Sequence, residues 1–312
     1  MILKEGIHNI DAKTYHADPC PQPSLSSSIG KIMLGQSPRH AWTAHSRLNP
    51  NFEPEERGTF DIGAACHREL LGKGSEIVIV NAKNFQTKAA QEARDAARAA
   101  GQIPILPDQH EDMVRMVKAA RLQIENHDEA AGAFTNGLPE QCLIWQEDGF
   151  WCRCYLDWLP ADRKFFDDYK TTTDASPDAV VRRIYDNGHD FQAAFYRRGI
   201  RKILGVESPR FRNIFQEKAD PYGLTVASLT PAAIEMADRK VEAALNMWKW
   251  CMKENRWPGY PSRTVYIDPP GWEEKRWLDR EERDEQDKAN GVDTMASRVD
   301  WETAKKYQAP VE

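Results

Sequence analysis

The sequence lacks the features that would make its class obvious. No run reaches eighteen apolar residues, so no membrane-spanning helix is expected. There is no excess of positive charge. The 42 Lys and Arg stand against 48 Asp and Glu, a formal net charge of −6. That excludes a uniformly basic nucleic-acid coat and leaves room for a local basic channel. Cysteine is sparse, 6 in 312 residues, too few for a disulfide scaffold. Only Cys152 and Cys154 lie close together. The one residue between them is not the CxxC spacing of a structural zinc site, and reduced, packed thiols are expected. The start, Met1 to Gly6, turns polar at once and does not read as a secretory leader, so the expected compartment is the cytoplasm. No internal repeat is visible.

What is present suits a soluble globular chain: 41% hydrophobic and 29% charged residues, at a length near the upper end for one domain. Residues 1–275 read as that domain, with a helical N-terminal portion, and 276–312 as a charged tail. Serines before an apolar run at Leu25–Leu34 predict a capped helix. Helical spacing predicts further helices over 60–71, 86–100, 108–125, 177–187 and 191–199, and Thr230-Pro231 opens a long one reaching Glu254. Residues 76–80 read as a short strand and 103–107 as an extended connector. Between the helices the period changes. Residues 141–146, 150–158 and 165–170 read as three strands of an antiparallel meander, and 211–216 with 224–228 as a later pair. Asp279 to Lys288 is densely charged, the composition of a solvated helix or a disordered arm.

The strongest chemical signal lies in the meander. Asp157 ends one strand; Asp168 and Lys170 sit two apart on the next and so share a face. Two carboxylates side by side repel and call for a cation between them. A hard divalent ion, Mg²⁺ or Mn²⁺, suits oxygen ligands. Lys170 would hold or deprotonate a water beside that ion, an arrangement fit for phosphodiester hydrolysis. Asp167 competes with Asp168 for the role, but a shift of one places it on the opposite face from Lys170. An Asp-x-Lys also arises by chance in a chain this charged. Further pieces raise its weight. Gln192 and Tyr196 stack at i, i+4 on a helix, where they can orient water or a phosphate oxygen. His67 follows the small residues Gly63 to Cys66; beside carboxylates it becomes a candidate ligand for a second ion or a phosphate contact.

In order, His67, Asp157, Asp168-x-Lys170 and Gln192-xxx-Tyr196 resemble the PD-(D/E)xK nuclease superfamily, RecB-like branch. Leu25-Ser26-Ser27-Ser28, Cys152-Arg153-Cys154, Asp168-Tyr169-Lys170-Thr171-Thr172 and Trp257-Pro258-Gly259-Tyr260 extend the likeness. Together they look like the phage and prophage exodeoxyribonuclease VIII-like family over roughly residues 10–275. The resemblance implies an α/β (α+β) restriction-endonuclease-like core, a central mixed sheet flanked by helices. It implies Mg²⁺-dependent digestion of linear double-stranded DNA from its 5′ ends. The 3′ tails left behind would serve recombination through a single-strand annealing protein, in a bacterial cell with the gene carried by a phage or prophage. The metal ligands carry over to Asp157, Asp168 and the main-chain carbonyl of Tyr169, with His67 as the helix histidine. Lys170 carries over as the water-activating residue, with Gln192 and Tyr196 in support. Glu140 is expected one layer further out. The chain departs from the pattern at Leu156, where the superfamily has proline, and at Tyr155, where close relatives have arginine. Some nucleases of this class carry an iron–sulfur cluster on a split cysteine pattern that this chain does not follow, so none is expected. Alternatives are a nuclease of the same fold acting on single-stranded or other DNA, as in CRISPR adaptation, and a catalytically silent DNA-binding protein.

Basic residues crowd the same stretch, with Arg153, Arg182, Arg183 and Arg197 as candidate DNA contacts. A negative chain that must bind a polyanion is reconciled if basic residues line one concave face. A homo-oligomeric ring of three or four subunits around the duplex is therefore expected, with a monomeric groove as the alternative.

Overall fold

The computed structural model describes residues 3–53 and 61–293. Phe60, the acidic stretch before Arg57 and the tail from 294 onward lie outside the described residues. The chain parts into two compact units, residues 1–259 and 260–312, a division earlier than one at 275.

The first unit is an α/β fold, a mixed sheet flanked by helices. Strand β1 (Gly6–His8) pairs antiparallel with β4 (Gly137–Glu147), which pairs antiparallel with β5 (Phe150–Pro160). Strand β6 (Phe165–Thr172) pairs parallel with β7 (Arg210–Glu217), which pairs antiparallel with β8 (Leu224–Ser228). A small parallel pair, β2 (Ile77–Ile79) and β3 (Ile103–Ile105), stands apart.

Two expectations change here. β6 is not the third strand of an antiparallel meander. It lies beside β5 without a ladder among the paired strands, and its partner is β7, reached through a helical crossover. The residues 103–107 connector is a strand at its first three positions, because β2 supplies the parallel partner.

Helices cover both faces, α1 (Ala12–His16), α3 (Pro38–Thr43) and α5 (Lys88–Ala99) being further helices of this unit. On one side α8 (His189–Leu204) packs on β4 and β5, and α2 (Ser27–Gly35) and α9 (Pro231–Glu254) pack on α8. Leu143, Trp145, Phe195, Leu245 and Trp248 lie in that core with no more than a trace of exposure. Each such side chain contributes roughly 1.5–3 kcal/mol of burial free energy. Ser26 caps α2, accepting the Ile29 N–H, and Thr230 caps α9 with Pro231 in the first turn. On the other side α4 (Asp61–Leu71) and α6 (Pro107–Glu125) enclose Ala65, Cys66, Leu70, Met113, Met116 and Ile214. The period of three and four puts the helical residues of that set on one stripe of each helix, facing Ile214 of β7. Helix α7 (Pro177–Asp186) carries the chain from β6 toward α8. All six cysteines are buried free thiols.

In the second unit, α10 (Gly271–Ala289) is a helix with no buried residue. Its exposed tryptophans are tied along the helix: the Arg276 guanidinium lies 5.8 Å from the Trp272 ring, and the Trp277 Nε1–H donates to Glu281 at 2.9 Å. Among the described residues no helix is long and apolar enough to cross a membrane.

Candidate active site

Helix α4 brings His67 to the strands because its residues before the histidine are small. A Cβ built at Gly63 would lie 2.9 Å from Thr171 Oγ1 on β6. A larger residue there would press on the Thr171 side chain. The His67 Nε2 atom lies 3.2 Å from Asp157 Oδ1, and its Nδ1 lies 3.8 Å from Glu140 Oε1. The other carboxylate oxygen of Asp157, Oδ2, accepts the Tyr169 N–H at 2.8 Å, which ties β5 to β6 at the site.

Asp168 is almost wholly buried. Its Oδ1 accepts a hydrogen bond from Gln192 Nε2 at 2.9 Å, donated from α8. Lys170 Nζ lies 2.6 Å from its Oδ2. Apart from that ammonium, Oδ2 has no hydrogen-bond partner among the described residues. Asp167 turns the other way. It receives two hydrogen bonds from Arg212, at 2.6 and 2.9 Å, and is thereby used up in the core.

The electrostatics follow from this crowding. Burial and then the neighbouring Asp157 carboxylate push Asp168 up to about 6. Burial also works against charge on Asp157, but His67, Lys170 and the Tyr169 N–H hold it below the ordinary value. His67 and Lys170 are both raised: burial disfavours their charged forms, but Asp157 with Glu140 outweighs it at His67, and Asp168 with Asp157 at Lys170. Lys170 is therefore an ammonium here, suited to neutralising charge and holding a water rather than to taking its proton. A cleft of about 440 Å³ opens over Gly63, His67, Glu140, Tyr169, Lys170 and Thr171.

Among the described residues, no group of three or more His, Cys, Asp or Glu side chains stands ready around one point for a metal ion. The Lys170 ammonium occupies the place of a counter-charge next to Asp168. The donor set nonetheless fits a hard cation, since Asp168 and Asp157 are anionic oxygen donors close enough to repel, with Lys170 as the one ammonium beside Asp168.

Of the other expected site residues, Glu140 takes a left-handed backbone, φ 49°, at the point of β4 opposite Asp157, and its carboxylate accepts from Tyr155 Oη at 3.3 Å. It reaches the site through His67. Tyr196 is buried beneath the site, edge-on to Phe211. Its hydroxyl is raised by burial, with Tyr15, Cys154 and then the two aspartates adding to the effect.

The candidate DNA contacts divide. Arg182 is exposed on α7. Arg183 is half-buried and donates to Asp174 O and Thr173 Oγ1. Arg153 is corrected: it is buried and donates to Tyr15 O and Ser24 O, at 3.2 and 2.8 Å. It shares a strand face with Asp157, yet four residues along a strand span about 13 Å. Arg197 is likewise buried and donates its Nε–H to Pro209 O at 2.8 Å. Neither guanidinium lines the cleft over His67 and Lys170.

Two residues at the site carried no assignment from the sequence. His189 Nδ1 lies 3.3 Å from Gln192 Oε1, an i, i+3 neighbour that helical spacing alone reveals. Burial and the nearby Lys170 push its imidazole down to about 4. Lys31 of α2 donates to Asn187 O at 3.1 Å and feels both Lys170 and Asp168. Its approach needs Gly188, φ 64°, where a Cβ would lie 2.6 Å from the lysine chain. No sequence signal links positions so far apart.

A family model described as "PDDEXK-like domain of unknown function" matches residues 26–269. No curated protein matches the chain. Among solved structures, the crystal structure of a "putative exonuclease" from Eubacterium rectale is 13% identical, with a TM-score of 0.55, over 85% of this chain and 97% of that one. The structure of SSO0001 covers 65% of this chain and 97% of its own at 12% identity, with a TM-score of 0.27, too low to argue from. The first likeness is one of fold.

Proposed function

The chain belongs to the PDDEXK-like family, and we propose that it is a metal-dependent deoxyribonuclease. The observation that carries this reading is Asp168. It is a buried carboxylate with one oxygen held by Gln192, the other facing only the Lys170 ammonium, and the Asp157 carboxylate close enough to raise it. Two carboxylates crowded together in the interior cost stability, a cost that a bound cation repays.

Asp157, Asp168 and the Tyr169 carbonyl would hold Mg²⁺, with Mn²⁺ able to substitute. Such an ion supplies positive charge to the scissile phosphate and acidifies a bound water. The protein's own residues do the rest. Gln192 fixes the Asp168 carboxylate, and the Tyr169 N–H fixes that of Asp157. His67, held by Asp157 and Glu140, offers a cationic donor at the cleft wall. The Lys170 ammonium leaves Asp168 for the attacking water or a phosphate oxygen, stabilising charge as it develops.

The finer reading is an exonuclease of the RecB-like branch, similar to exodeoxyribonuclease VIII, acting on ends of linear duplex DNA from 5′ to 3′. The name of the Eubacterium rectale neighbour points the same way. A ring of three or four subunits and an annealing partner would accompany that role. Digestion of end-labelled linear, nicked and covalently closed duplex, with and without Mg²⁺, tests it. Linear DNA should be degraded from the labelled 5′ end only when Mg²⁺ is present. Rapid cutting of closed circles would remove the exonuclease assignment, and cleavage unaffected by chelator would remove the metal.

A further inference from the structure

A second cleft, of about 660 Å³, opens where β6 and β7 begin and β8 ends. It shares none of its lining with the cleft over His67 and Lys170. Its inner wall carries Arg197, whose exposure is only 8%. The Nε–H of that guanidinium is fixed by Pro209 O, while Nη1 is shut from solvent with no hydrogen-bond partner. Among the described residues no carboxylate lies within ion-pair distance of it. Burial, and then the like charge of Arg201, disfavour its cationic form, with Asp238 opposing. A buried guanidinium without a counter-ion is costly.

The remaining lining says what would balance it. Arg210 stands exposed at the mouth. The first turn of α9 contributes Ile234, so the positive end of a 24-residue helix lies at the same cleft. These favour an oxyanion of more than one negative charge. The rest of the wall is aromatic and aliphatic. Phe165 presents a ring already faced by Arg210 at 5.2 Å and Arg212 at 4.1 Å, and Leu229 adjoins Ile234. One group opposes an anion: Glu129, exposed at the rim.

We propose that this cleft is a separate binding site for a phosphomonoester carried on a flat or apolar group, a deoxynucleoside monophosphate being the small ligand that fits. The phosphate pairs with Arg197 and Arg210, and the base lies against Phe165 and the aliphatic wall. The volume is that of a site for a ligand of this size. The same phosphate could arrive as the terminal phosphate of a DNA strand.

Calorimetric titration and thermal melts of the full chain in chelator test this without any dependence on cleavage. The probes are deoxythymidine monophosphate, inorganic phosphate, thymidine, and a short oligonucleotide with a 5′-phosphate or a 5′-hydroxyl. The monophosphate should bind and raise the melting temperature, inorganic phosphate should bind more weakly, and thymidine should not bind. Arg197→Met and Arg210→Gln should each weaken the monophosphate by about tenfold or more, the loss of one charge-assisted contact. Glu129→Gln should tighten it. Without ligand, Arg197→Met should melt no lower than wild type, because an unpaired charge is removed. Should Arg197→Met fail to fold, the two exposed substitutions decide the matter. A phosphorylated oligonucleotide that outcompetes the monophosphate, with the same variant dependence, assigns the phosphate to a DNA end. Absence of binding by every phosphate probe at millimolar concentration, or wild-type affinity in Arg210→Gln with unchanged affinity in Glu129→Gln, overturns the site.

Discussion

Asp18, His45 and Arg153 form one cluster of acid, imidazole and cation; Asp157, Asp168, His67 and Lys170 form another. In the first, every group is fully buried or nearly so. Asp18 accepts the Ser24 N–H at 2.8 Å and the Ser24 hydroxyl at 2.7 Å, with Arg153 Nη1 at 3.3 Å. His45 has Ser24 O at one ring nitrogen and the N–H groups of Arg47 and Leu48 at the other. Burial pushes its imidazole down to about 4. In the second cluster, Asp168 keeps an oxygen without a hydrogen bond, and His67 and Lys170 are about a quarter exposed, at 25% and 28%. The same kinds of side chain thus serve two ends. Saturated with partners, they pin the segment around Tyr15 and Ser24 to β5. Left short of one, beside a cleft, they form a place for a ligand.

Substitutions separate the two clusters. Asp168→Asn or Asp157→Asn should lower Mg²⁺-dependent cleavage by at least roughly 10²–10³-fold, the scale for loss of one preorganised electrostatic contact. Asp168→Asn should not lower the denaturant midpoint of metal-free protein, whereas Asp157→Asn should lower it slightly, because His67 and Lys170 lose the carboxylate that they hold below its ordinary value. Arg153→Met should do the reverse. Stranding the buried Asp18 carboxylate costs roughly 3–5 kcal/mol, read as a fall in denaturant midpoint. Any loss of cleavage should track the folded fraction. An Arg153→Met protein as stable as wild type would erase the distinction.

The sequence carried more of the site than of the sheet. His67, Asp157, Asp168, Lys170 and Gln192 were all nominated, and the structure places them together. The parity of a strand also separated Asp168 from Asp167, which Arg212 occupies. The partner of β6 was not legible. A turn at Pro160 to Lys164 permits a hairpin but does not require a ladder, and β7 follows two helices later. Three-residue strands such as β1 and β3 show no period to detect. The burial of Arg153 is not legible in the sequence because its partners, Tyr15 and Ser24, lie more than a hundred positions earlier. Strand alternation gives a side chain's face, not what waits there.

Within the site, Lys170→Ala should cost roughly 10²-fold in rate while sparing most metal binding, since its charge acts on the reacting atoms. Lys170→Arg should not restore the rate, because a rigid planar fork does not replace a compact ammonium. Lost metal binding in Lys170→Ala would contradict that division of roles.

The smallest effect is a pH dependence. Asp168 is raised from 3.8 to about 6, so between those values the folded chain holds a proton that the unfolded chain has released. The stability tied to this group is full at low pH and is lost as pH rises through about 6. In metal-free melts, the advantage of Asp168→Asn over wild type should open across that window. Metal affinity should rise with pH over the same range, because the ion competes with the proton. A difference that is flat with pH would argue against the burial and repulsion assigned to Asp168.

The most direct measurement is a calorimetric Mn²⁺ titration of wild type, Asp168→Asn and Asp18→Asn at matched folded fraction. Saturable binding should be present in wild type, retained in Asp18→Asn and lost in Asp168→Asn. Equal Mn²⁺ affinity in Asp168→Asn and wild type would show that the Asp168 carboxylate is not part of the metal site.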